Sequence, residues 1–316
     1  MYWTYLIHLG QNMWRGPKGD PYPMGKYSDV MVTEYDIWRE IIDFLPAQGV
    51  NTLIIDLAEA VQYDSHPELA CEGAWSKEKI RQELAYIRSL GITPIPKLNF
   101  SAHHDVWLKE YSFMVSTPTY YKVVGELIDE VCELFDRPEY FMIGMDEEAY
   151  DPDLPYFYIH MQKKTGYTCV RNGELFWHDI DYLIECCERN GVHPWIWGCI
   201  AWIQPEKCIE RFPKNMMVSN ALYRRMLNPK LLPDYSQAAL KAYYLFAENG
   251  FKQVPTCMHE IPLNMDDTVY LLKDLPGIEG YMMAPWVRTR RRDLYTHKAA
   301  ARLFGCAKEK YYPEER

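Results

Sequence analysis

The sequence predicts an α/β fold, a (β/α)8 TIM barrel that forms a single domain over residues 1–316. Eight short apolar segments alternate with stretches of helical length, which favours a closed parallel barrel over an open sheet. The length of 316 residues suits one such barrel with long loops, because these barrels run to roughly 250 residues. Neither GxGxxG nor GxxxxGK[ST] occurs, so no motif favours a nucleotide-binding sheet.

Each predicted strand is a short apolar run bounded by polar or turn-forming residues. The second strand is almost continuously apolar, as a parallel strand buried on both faces should be. The seventh strand has the weakest pattern of the eight. In chain order the predicted strands are 4–10, 51–56, 92–99, 140–145, 193–197, 216–220, 251–259 and 278–284.

The predicted helices begin and end at residues that are typical of helix ends. Thr33 is expected to start the first helix, because Asp36 stands at the spacing of a capping box, and Gly49 closes it. Ser76 caps the second helix and Gly91 ends it. The later helices are expected near 118–135, near 174–189 and after strand eight to about residue 304.

Composition restricts the partners and the compartment. The net charge of −10 argues against a nucleic-acid partner, because phosphate binding needs a basic face. No apolar run approaches the ~20 residues that span a bilayer, so no membrane partner is expected. The N-terminus lacks a signal-peptide pattern, and the nine cysteines form no CxxC pair, which predicts reduced thiols in a cytoplasmic protein, or a chain whose leader was removed. No cofactor is expected, and a homo-oligomer is compatible with the sequence.

The barrel itself predicts where the site lies, because catalytic groups of such barrels follow the carboxyl ends of the strands. Carboxylates, histidines and aromatic residues converge on these positions. Aromatic faces stack on sugar rings, so this set favours a small oligosaccharide or glycoside as substrate. The positions are His8, Gln11, Trp14, Asp56, Glu59, Asn99, His103, Asp146, Glu147, Glu148, Trp197, Trp202, Asn220, Tyr223, His259, Glu260, Trp286 and Arg288.

The acidic residues after strand four are the strongest candidates for chemistry. Asp146, Glu147 and Glu148 end a strand that is otherwise apolar. Neighbouring side chains of a strand point to opposite faces, so two adjacent residues serve one site only where the chain leaves the strand. A neighbouring carboxylate and aromatic walls raise the pKa of a carboxyl, as a general acid requires. The competing interpretation is an acidic strand end that caps a helix or is solvated.

Three segments resemble the family 20 glycoside hydrolases, the β-N-acetylhexosaminidases. Residues 65–76 read Ser-His-Pro-Glu-Leu-Ala-Cys-Glu-Gly-Ala-Trp-Ser, residues 95–99 read Ile-Pro-Lys-Leu-Asn before His103, and residues 140–147 read Tyr-Phe-Met-Ile-Gly-Met-Asp-Glu. They are similar to the family patterns PEL…GAW, IPEID.PGH and H-x-G-x-D-E. The resemblance is good over residues 49–147, weak from 150 to 275 and partial at the last strand.

The resemblance implies a retaining exo-glycosidase that acts on a terminal 2-acetamido sugar with assistance from the substrate, whose acetamido oxygen attacks its own anomeric carbon. By residue match, Asp146 orients the acetamido group, and Glu147 protonates the leaving oxygen and then activates water. His103 matches a histidine that tunes this acid, with Asp56 or Glu59 as its carboxylate partner. The candidates for sugar binding are Trp197, Tyr223, His259, Glu260, Trp286 and Arg288.

The chain departs from the family pattern at several sugar-contacting positions. The histidine of the H-x-G-x-D-E motif is Met142, and the acidic residues of the third strand are Lys97 and Asn99. The acidic residue two positions after the last-strand Trp is Arg288. Because Arg pairs with anionic groups, this change predicts a terminal sugar that carries an anionic group or an altered 4- or 6-position.

Two alternative functions belong to other classes. A metal-dependent barrel hydrolase would use the run His103-His104-Asp105 with His8 and Asp56, but the alternating His-x-His pair expected on strand one is absent, so no metal is predicted. A degenerate carbohydrate-binding barrel would explain the sugar-contact changes. It would not explain why Asp146 and Glu147, the acidic pair of the family motif, are both present.

Overall fold

The computed structural model describes residues 1–13, 27–148, 171, 173–225, 230 and 232–315. Within them, nine parallel strands form one sheet, in the order β7-β6-β5-β4-β3-β2-β1-β9-β8. This confirms the predicted α/β barrel architecture. The strands are β1 (Tyr2–His8), β2 (Thr52–Asp56), β3 (Thr93–Lys97), β4 (Tyr140–Gly144), β5 (His193–Trp197), β6 (Met217–Ser219), β7 (Lys252–Gln253), β8 (Thr256–Cys257) and β9 (Gly280–Met283).

The seventh predicted strand is divided into β7 and β8, and this segment joins the two ends of the sheet. The amide N–H of Val254 donates to Val218 of β6, while the carbonyl of Pro255 accepts from Met282 of β9. Further along, Thr256 N donates to the carbonyl of Asn220. The segment therefore bonds to both neighbours and closes the ring of strands. Pro255 lacks an N–H and interrupts the ladder, which explains why this strand has the weakest sequence pattern.

Helices follow the strands around the ring. The described helices are α1 (Tyr35–Phe44), α2 (Lys77–Ser89), α3 (Pro118–Leu134), α4 (Glu174–Arg189), α5 (Pro205–Arg211), α6 (Asp234–Glu248), α7 (Asn264–Leu272) and α8 (Leu294–Tyr311). None of them is long and apolar enough to cross a bilayer. The Ser76 cap is confirmed, since its hydroxyl accepts from Lys79 N at 3.2 Å.

The predicted capping box of the first helix is wrong. Helix α1 begins at Tyr35, and its N-cap residue Glu34 makes no side-chain cap hydrogen bond. Thr33 instead donates its hydroxyl to the carbonyl of Leu9 at 2.8 Å. The long-range bond to the end of β1 competes with the local cap, and tertiary contacts commonly override such local signals.

Alternate side chains of the strands fill the barrel interior, below the level at which the strands end. Leu6, Ile54, Ile95, Met142 and Trp195 belong to this buried cluster. Along β1, β2 and β3, the next residues on the same face of the sheet are His8, Asp56 and Lys97, which lie in register with one another. The interior is therefore apolar at its centre and charged at its upper end, where the candidate site begins.

Candidate active site

A cavity of about 320 Å³ opens at the carboxyl ends of the strands. It lies where catalytic groups of a (β/α)8 barrel are expected. Residues from seven strand ends and from α6 line it. They are Met13, Lys97, Asn99, His104, Asp146, Glu147, Trp197, Cys199, Trp202, Ala221, Leu222, Tyr223, Arg224, Ser236, Ala239, Met258 and Trp286.

The turn after β4 brings two consecutive carboxylates into this cavity. Gly144, Met145 and Glu147 have positive φ angles of 76°, 65° and 58°. Non-glycine residues rarely adopt this region, and each such residue stores on the order of 1–3 kcal/mol. The turn breaks the alternation of the strand, so Asp146 and Glu147 both line the cavity. This is the arrangement that the strand-end position predicts for an adjacent pair serving one site.

Asn99 holds this turn in place. Its side-chain Nδ2 donates to Asp146 Oδ1 at 2.8 Å, and its Oδ1 accepts from Ser101 N at 3.1 Å and from Met145 N at 3.3 Å. A Cβ added at Gly144 would lie 2.0 Å from Asn99 Oδ1. Glycine is therefore required at position 144 both by its φ angle and by the close approach of Asn99.

His104 lies between the two carboxylates. Its Nε2 is 3.2 Å from Asp146 Oδ2 and 3.2 Å from Glu147 Oε2. Burial acts to lower the pKa of His104, but the charge of Asp146 and hydrogen bonds with both carboxylates outweigh it and raise the pKa to about 10. The imidazole is therefore an imidazolium at neutral pH, and it supplies a positive charge to the acidic pair.

Asp146 is held in its ionised form. Burial acts to raise its pKa, while the charge of His104, the hydrogen bond with that ring, the charge of Lys97 and the bond from Asn99 lower it to about 2. The side chain of Asp146 is 14% exposed and that of Glu147 is 25% exposed. Asp146 is thus a deep, permanently charged acceptor, and Glu147 is the carboxyl nearer the solvent.

The third acidic residue, Glu148, is turned away from the cavity. Its Oε2 accepts from Arg171 Nη1 at 2.6 Å and from Ala102 N at 2.7 Å, and Arg171 N donates to Oε1 at 2.9 Å. Arg171 also donates to Asp179, and both side chains are buried. Glu148 therefore anchors the loop after β3 on which His104 lies.

A charged layer spans β1, β2 and β3 at the upper end of the barrel interior. Asp56 Oδ2 accepts from Lys97 Nζ at 2.5 Å, and His8 Nδ1 lies 3.1 Å from the same oxygen. Burial acts to raise the pKa of Asp56, but the charge of Lys97 and the bond with His8 lower it below 3.8. Lys97 lines the cavity, so the layer presents a neutralised ammonium group to it.

Glu59 holds the chain that leaves β1. Its two carboxylate oxygens accept from Gln11 N at 2.8 Å and from Asn12 N at 3.1 Å. Burial raises its pKa to about 7, with the two backbone bonds acting in the opposite direction. The hydrogen bonds given for Glu59 thus go to the β1 loop, and Glu59 is absent from the lining of the cavity among the residues described.

Aromatic side chains form part of the cavity wall. The ring centroids of Trp197 and Trp286 are 5.9 Å apart, and Trp286 Nε1 donates to Tyr223 Oη at 3.2 Å. Trp202 Nε1 donates to Asn220 Oδ1 at 2.8 Å, which fixes its indole at the edge of the cavity. Within the described part of the chain, Trp197 Nε1 is buried without a hydrogen-bond partner. The wall offers flat apolar faces and one unused N–H donor.

The structure brings some of the predicted site residues together and leaves others outside. Asp146, Glu147, Trp197, Tyr223 and Trp286 all line the cavity. Of the residues predicted to bind the sugar or to support the acid, six are missing from its described lining: Asp56, Glu59, His103, His259, Glu260 and Arg288. Glu260 is exposed. Arg288 is half-buried, and its carbonyl oxygen accepts from His297 Nε2 at 3.1 Å. Trp14 lies outside the described residues.

The histidine beside the carboxylates is one position later than the sequence motif predicts. His104 makes the contacts with both acidic residues, whereas the ring nitrogens of His103 have no hydrogen-bond partner among the described residues. Asp56 bonds with His8 and Lys97 instead of His103. A motif does not show which of two consecutive loop residues will face the site, because the alternation of side chains along a strand does not continue into the loop.

Several lining residues were not singled out from the sequence. His104 entered only as part of the candidate metal run, and Lys97 only as a departure from a family pattern. Met13, Cys199, Leu222, Ser236, Ala239 and Met258 carry no sequence signal of a site. Among the described residues, no group of three His, Cys, Asp or Glu side chains is arranged to hold a metal ion.

Comparison with known proteins identifies relatives by structure alone. No family model matches the sequence, and no curated protein matches it. The chain is similar to a β-N-acetylhexosaminidase from Bacteroides fragilis, with a TM-score of 0.63 and 16% identity over 96% of this chain and 65% of that one. It is also similar to the family 20 β-N-acetylhexosaminidase from Streptomyces coelicolor, with a TM-score of 0.64 and 13% identity over 96% and 64%.

A third structure carries a sugar. It is a mutant β-hexosaminidase from Streptomyces plicatus in complex with its product, N-acetylglucosamine, with a TM-score of 0.64 and 14% identity over 98% of this chain and 63% of that one. The chain thus spans less than two thirds of the length of these relatives. At such identities the likeness establishes the fold, a barrel that this chain shares with β-N-acetylhexosaminidases of glycoside hydrolase family 20.

Proposed function

We propose that this chain is a retaining exo-glycosidase that hydrolyses a terminal 2-acetamido sugar with assistance from the acetamido group. The observation that carries the proposal is the shared cavity of Asp146 and Glu147, with an imidazolium between them and aromatic side chains in the same cavity wall. The printed names of the structural relatives, which are hexosaminidases, support the same class of substrate.

Asp146 has the properties of the group that orients the acetamido side chain. It is ionised at any physiological pH, because its pKa is held at about 2. It lies deeper in the cavity than Glu147, as the smaller exposed fraction of its side chain indicates. A fixed carboxylate accepts the amide N–H of the substrate and stabilises the positive charge that develops on that nitrogen as the carbonyl oxygen attacks.

Glu147 has the position of the acid and base. Its side chain is the more exposed of the two, and the leaving group must depart toward solvent. It lies beside His104, whose Nε2 is 3.2 Å from its Oε2. Once the substrate N–H occupies Asp146, the imidazolium proton is directed to Glu147, which can pass a proton to the leaving oxygen.

The reaction then proceeds in two balanced steps. In the first, the acetamido oxygen bonds to the anomeric carbon, the bond from that carbon to the leaving oxygen breaks, and the Glu147 carboxyl proton moves to the leaving oxygen. The product of this step is a cyclic oxazolinium whose N–H is held by Asp146. In the second, water bonds to the anomeric carbon, gives a proton to Glu147 and reopens the acetamido group, with overall retention.

The aromatic wall supports a sugar ring and its acyl group. Trp197 and Trp286 present apolar faces for the C–H faces of the ring. Tyr223 accepts the N–H of Trp286, so its own hydroxyl proton is directed to another acceptor, and the acetamido carbonyl oxygen is a suitable one. The proposed anionic sugar has weaker support, because Arg288 is not part of the described cavity lining.

A panel of nitrophenyl β-glycosides tests the proposal. We expect the N-acetylglucosaminide and N-acetylgalactosaminide to be hydrolysed, and the glucoside and galactoside, which lack the 2-acetamido group, to be turned over at least 10³-fold more slowly in kcat/KM, roughly the effective advantage of an intramolecular nucleophile. Comparable hydrolysis of the sugars without the acetamido group would refute substrate assistance.

A further inference from the structure

The floor of the cavity carries a buried lysine. Lys97 is the last residue of β3, and its side chain is 1% exposed. The side chain points into the barrel, because its partner Asp56 is its neighbour in register on the same face of the sheet. Lys97 also lines the cavity. Its neighbour in register on β4 is Met142, four positions before Asp146, so Lys97 lies below the level of the acidic pair.

The ammonium group of Lys97 has more donors than partners. A lysine Nζ carries three N–H donors. Among the described residues, its one hydrogen bond is the one that it donates to Asp56 Oδ2 at 2.5 Å. Buried charged groups are ordinarily hydrogen-bonded, because an unpaired buried donor loses its hydration without compensation. The remaining donors at the cavity floor therefore indicate an acceptor that a bound ligand supplies.

The charges at the floor balance without an anionic ligand. The ammonium of Lys97 lies against the carboxylate of Asp56, and the imidazolium of His104 lies against that of Asp146. In the proposed function Glu147 is protonated when the reaction starts, so it adds no charge at that stage. An additional anion at the floor would be buried beside Asp56 and Asp146 with no cation left to match it.

Arg224 is a further cation in the described lining of the cavity. It follows β6 and is exposed, so water and salt screen its charge from the buried floor. Its charge therefore does not change the balance around Lys97. The acceptor that fits the remaining donors of Lys97 is a neutral oxygen, and a sugar hydroxyl is one.

Depth in the cavity indicates which hydroxyl this is. The side chain of Glu147 is 25% exposed, that of Asp146 is 14% exposed and that of Lys97 is 1% exposed. In the proposed function, C1 of the sugar lies at Glu147 and the C2 amide lies at Asp146. The C4 hydroxyl is on the side of the pyranose ring opposite C1, so it enters the cavity farthest. The most deeply buried of the three charged groups, Lys97, is therefore its partner.

We infer that the Lys97 ammonium donates a hydrogen bond to the C4 hydroxyl oxygen of a neutral terminal sugar, so that Lys97 is a specificity-determining residue. The inference rests on the proposed function, because Glu147 and Asp146 set the orientation of the ring. It extends that function from the acetamido group to the far end of the sugar. A group that only donates requires an acceptor at C4, and a sugar without one leaves the buried donors unpaired.

Calorimetric binding of N-acetylglucosamine and its 4-deoxy and 4-deoxy-4-fluoro analogues to the whole chain tests the inference. We expect the 4-deoxy sugar to bind roughly 10- to 100-fold more weakly than the parent sugar, the range for a hydrogen bond to a charged group. The 4-fluoro sugar should bind more tightly than the 4-deoxy sugar, because fluorine accepts a hydrogen bond weakly and cannot donate one.

Three results with the wild-type chain would overturn the inference. The first is equal binding of the parent and 4-deoxy sugars. The second is a 4-fluoro sugar that binds no better than the 4-deoxy sugar, because the protein would then accept a hydrogen bond from this hydroxyl. The third is tighter binding of N-acetylglucosamine 6-sulfate than of the parent sugar, because the floor would then favour an anion.

The double variant Asp56→Asn/Lys97→Met assigns the contact to Lys97. It removes the donor and its buried partner together, so no unpaired charge is left behind. The weaker binding of the 4-deoxy sugar relative to the parent should disappear in this variant, while the 3-deoxy and 6-deoxy sugars should keep their wild-type ratios to the parent. An unchanged 4-deoxy ratio in a variant that folds overturns the inference. If the variant does not fold, the wild-type 4-fluoro comparison decides.

Hydrolysis separates this inference from the proposed function. A failure of N-acetylglucosamine to bind overturns the inference, whereas hydrolysis of the nitrophenyl N-acetylglucosaminide would still support the proposed function. Binding that depends on the C4 hydroxyl and on Lys97, without hydrolysis of any 2-acetamido glycoside, supports the inference and overturns the catalytic proposal.

Discussion

A single imidazolium lies between two adjacent carboxylates. Two carboxylates in one site ordinarily repel each other. His104 relieves that repulsion because its Nε2 is equally close to Asp146 and Glu147. The charge of His104, the charge of Lys97 and the bond from Asn99 hold the pKa of Asp146 at about 2 against the effect of burial.

Replacing His104 should therefore change the pH dependence of the reaction. In His104→Gln, Asp146 loses the positive charge of His104, which is the largest of the influences that lower its pKa. The pKa of Asp146 therefore rises from about 2. Because the mechanism needs Asp146 ionised, the acid limb of the kcat/KM profile should move to higher pH by on the order of 1–3 units, and the maximal rate should fall. The measurement is kcat/KM for the nitrophenyl N-acetylglucosaminide between pH 3 and 9.

His103→Gln is the matched control for this prediction. His103 neighbours His104 and is equally buried, but its ring nitrogens make no hydrogen bond within the described residues. We expect a much smaller shift of the acid limb in this variant. A larger shift in His103→Gln than in His104→Gln would restore the motif-based assignment of His103 and contradict the structural one.

At the scale of the elements, the turn after β4 is the feature that makes the site. A regular strand would have placed Asp146 and Glu147 on opposite faces. The positive φ angles of Met145 and Glu147 break that alternation, and Asn99 supplies hydrogen bonds that hold the strained backbone. Strain concentrated beside the proposed catalytic groups is a common property of enzyme sites, where the surrounding structure compensates for it.

Gly144→Ala should destabilise the protein and abolish activity together. The added Cβ meets Asn99 Oδ1 at 2.0 Å in a backbone with a φ angle of 76°. We expect a loss in the free energy of unfolding on the order of 3 kcal/mol or more, which combines a left-handed backbone penalty with overpacking. Denaturant unfolding and the rate of glycoside hydrolysis measure the two effects.

Gly191→Ala separates the backbone penalty from the clash. Gly191 has a φ angle of 72°, and a Cβ there meets nothing within 4 Å. This variant should lose only about 1–2 kcal/mol and keep its activity. Equal losses in the two variants would mean that the contact between Gly144 and Asn99 does not hold the turn.

At the scale of the whole molecule, the barrel was readable from the sequence because every strand is buried on both faces. Runs such as Asn51 to Asp56 therefore appear as continuous apolar segments. The division of the seventh strand at Pro255 was not predicted, since its position depends on hydrogen bonds to β6 and β9. The placement of Asp146 and Glu147 in one cavity followed from their position at the end of a strand.

The remaining parts of the site depend on contacts between distant segments. Asp56 was expected to face a histidine after β3, but the parallel register places it between His8 and Lys97. Local sequence carries no information about which of several polar residues on neighbouring strands will pair. The contribution of α6 to the cavity was equally hidden, because Ser236 and Ala239 are ordinary helix residues until the tertiary structure places them beside the cavity.

The pH dependence of overall stability should show the burial of Glu59. Its pKa in the folded protein is raised to about 7, above the ordinary 4.5. A carboxyl whose pKa is raised by folding contributes fully to the stability of the folded protein when the pH lies below its ordinary pKa. This contribution is lost as the pH rises through the pKa of the folded state. The difference in the free energy of unfolding between wild type and Glu59→Gln should therefore decrease from about pH 4.5 to 7 and then level off.

Glu260→Gln provides the control, because Glu260 is exposed. The difference in the free energy of unfolding between wild type and Glu260→Gln should stay constant over the same pH range. Urea unfolding at a series of pH values measures both differences. A constant or rising difference for Glu59→Gln would show that the buried carboxyl does not keep its proton in the folded protein.

In the proposed mechanism the acyl oxygen of the substrate is the nucleophile, positioned by Asp146 while Glu147 moves the proton. Nitrophenyl N-acetylglucosaminides with one, two and three fluorines on the acetyl methyl test this mechanism most directly, because fluorine withdraws electrons from the attacking oxygen and changes the size of the group little. We expect kcat/KM to fall steeply with each fluorine, by several orders of magnitude over the series. Rates that are independent of fluorination would contradict the mechanism.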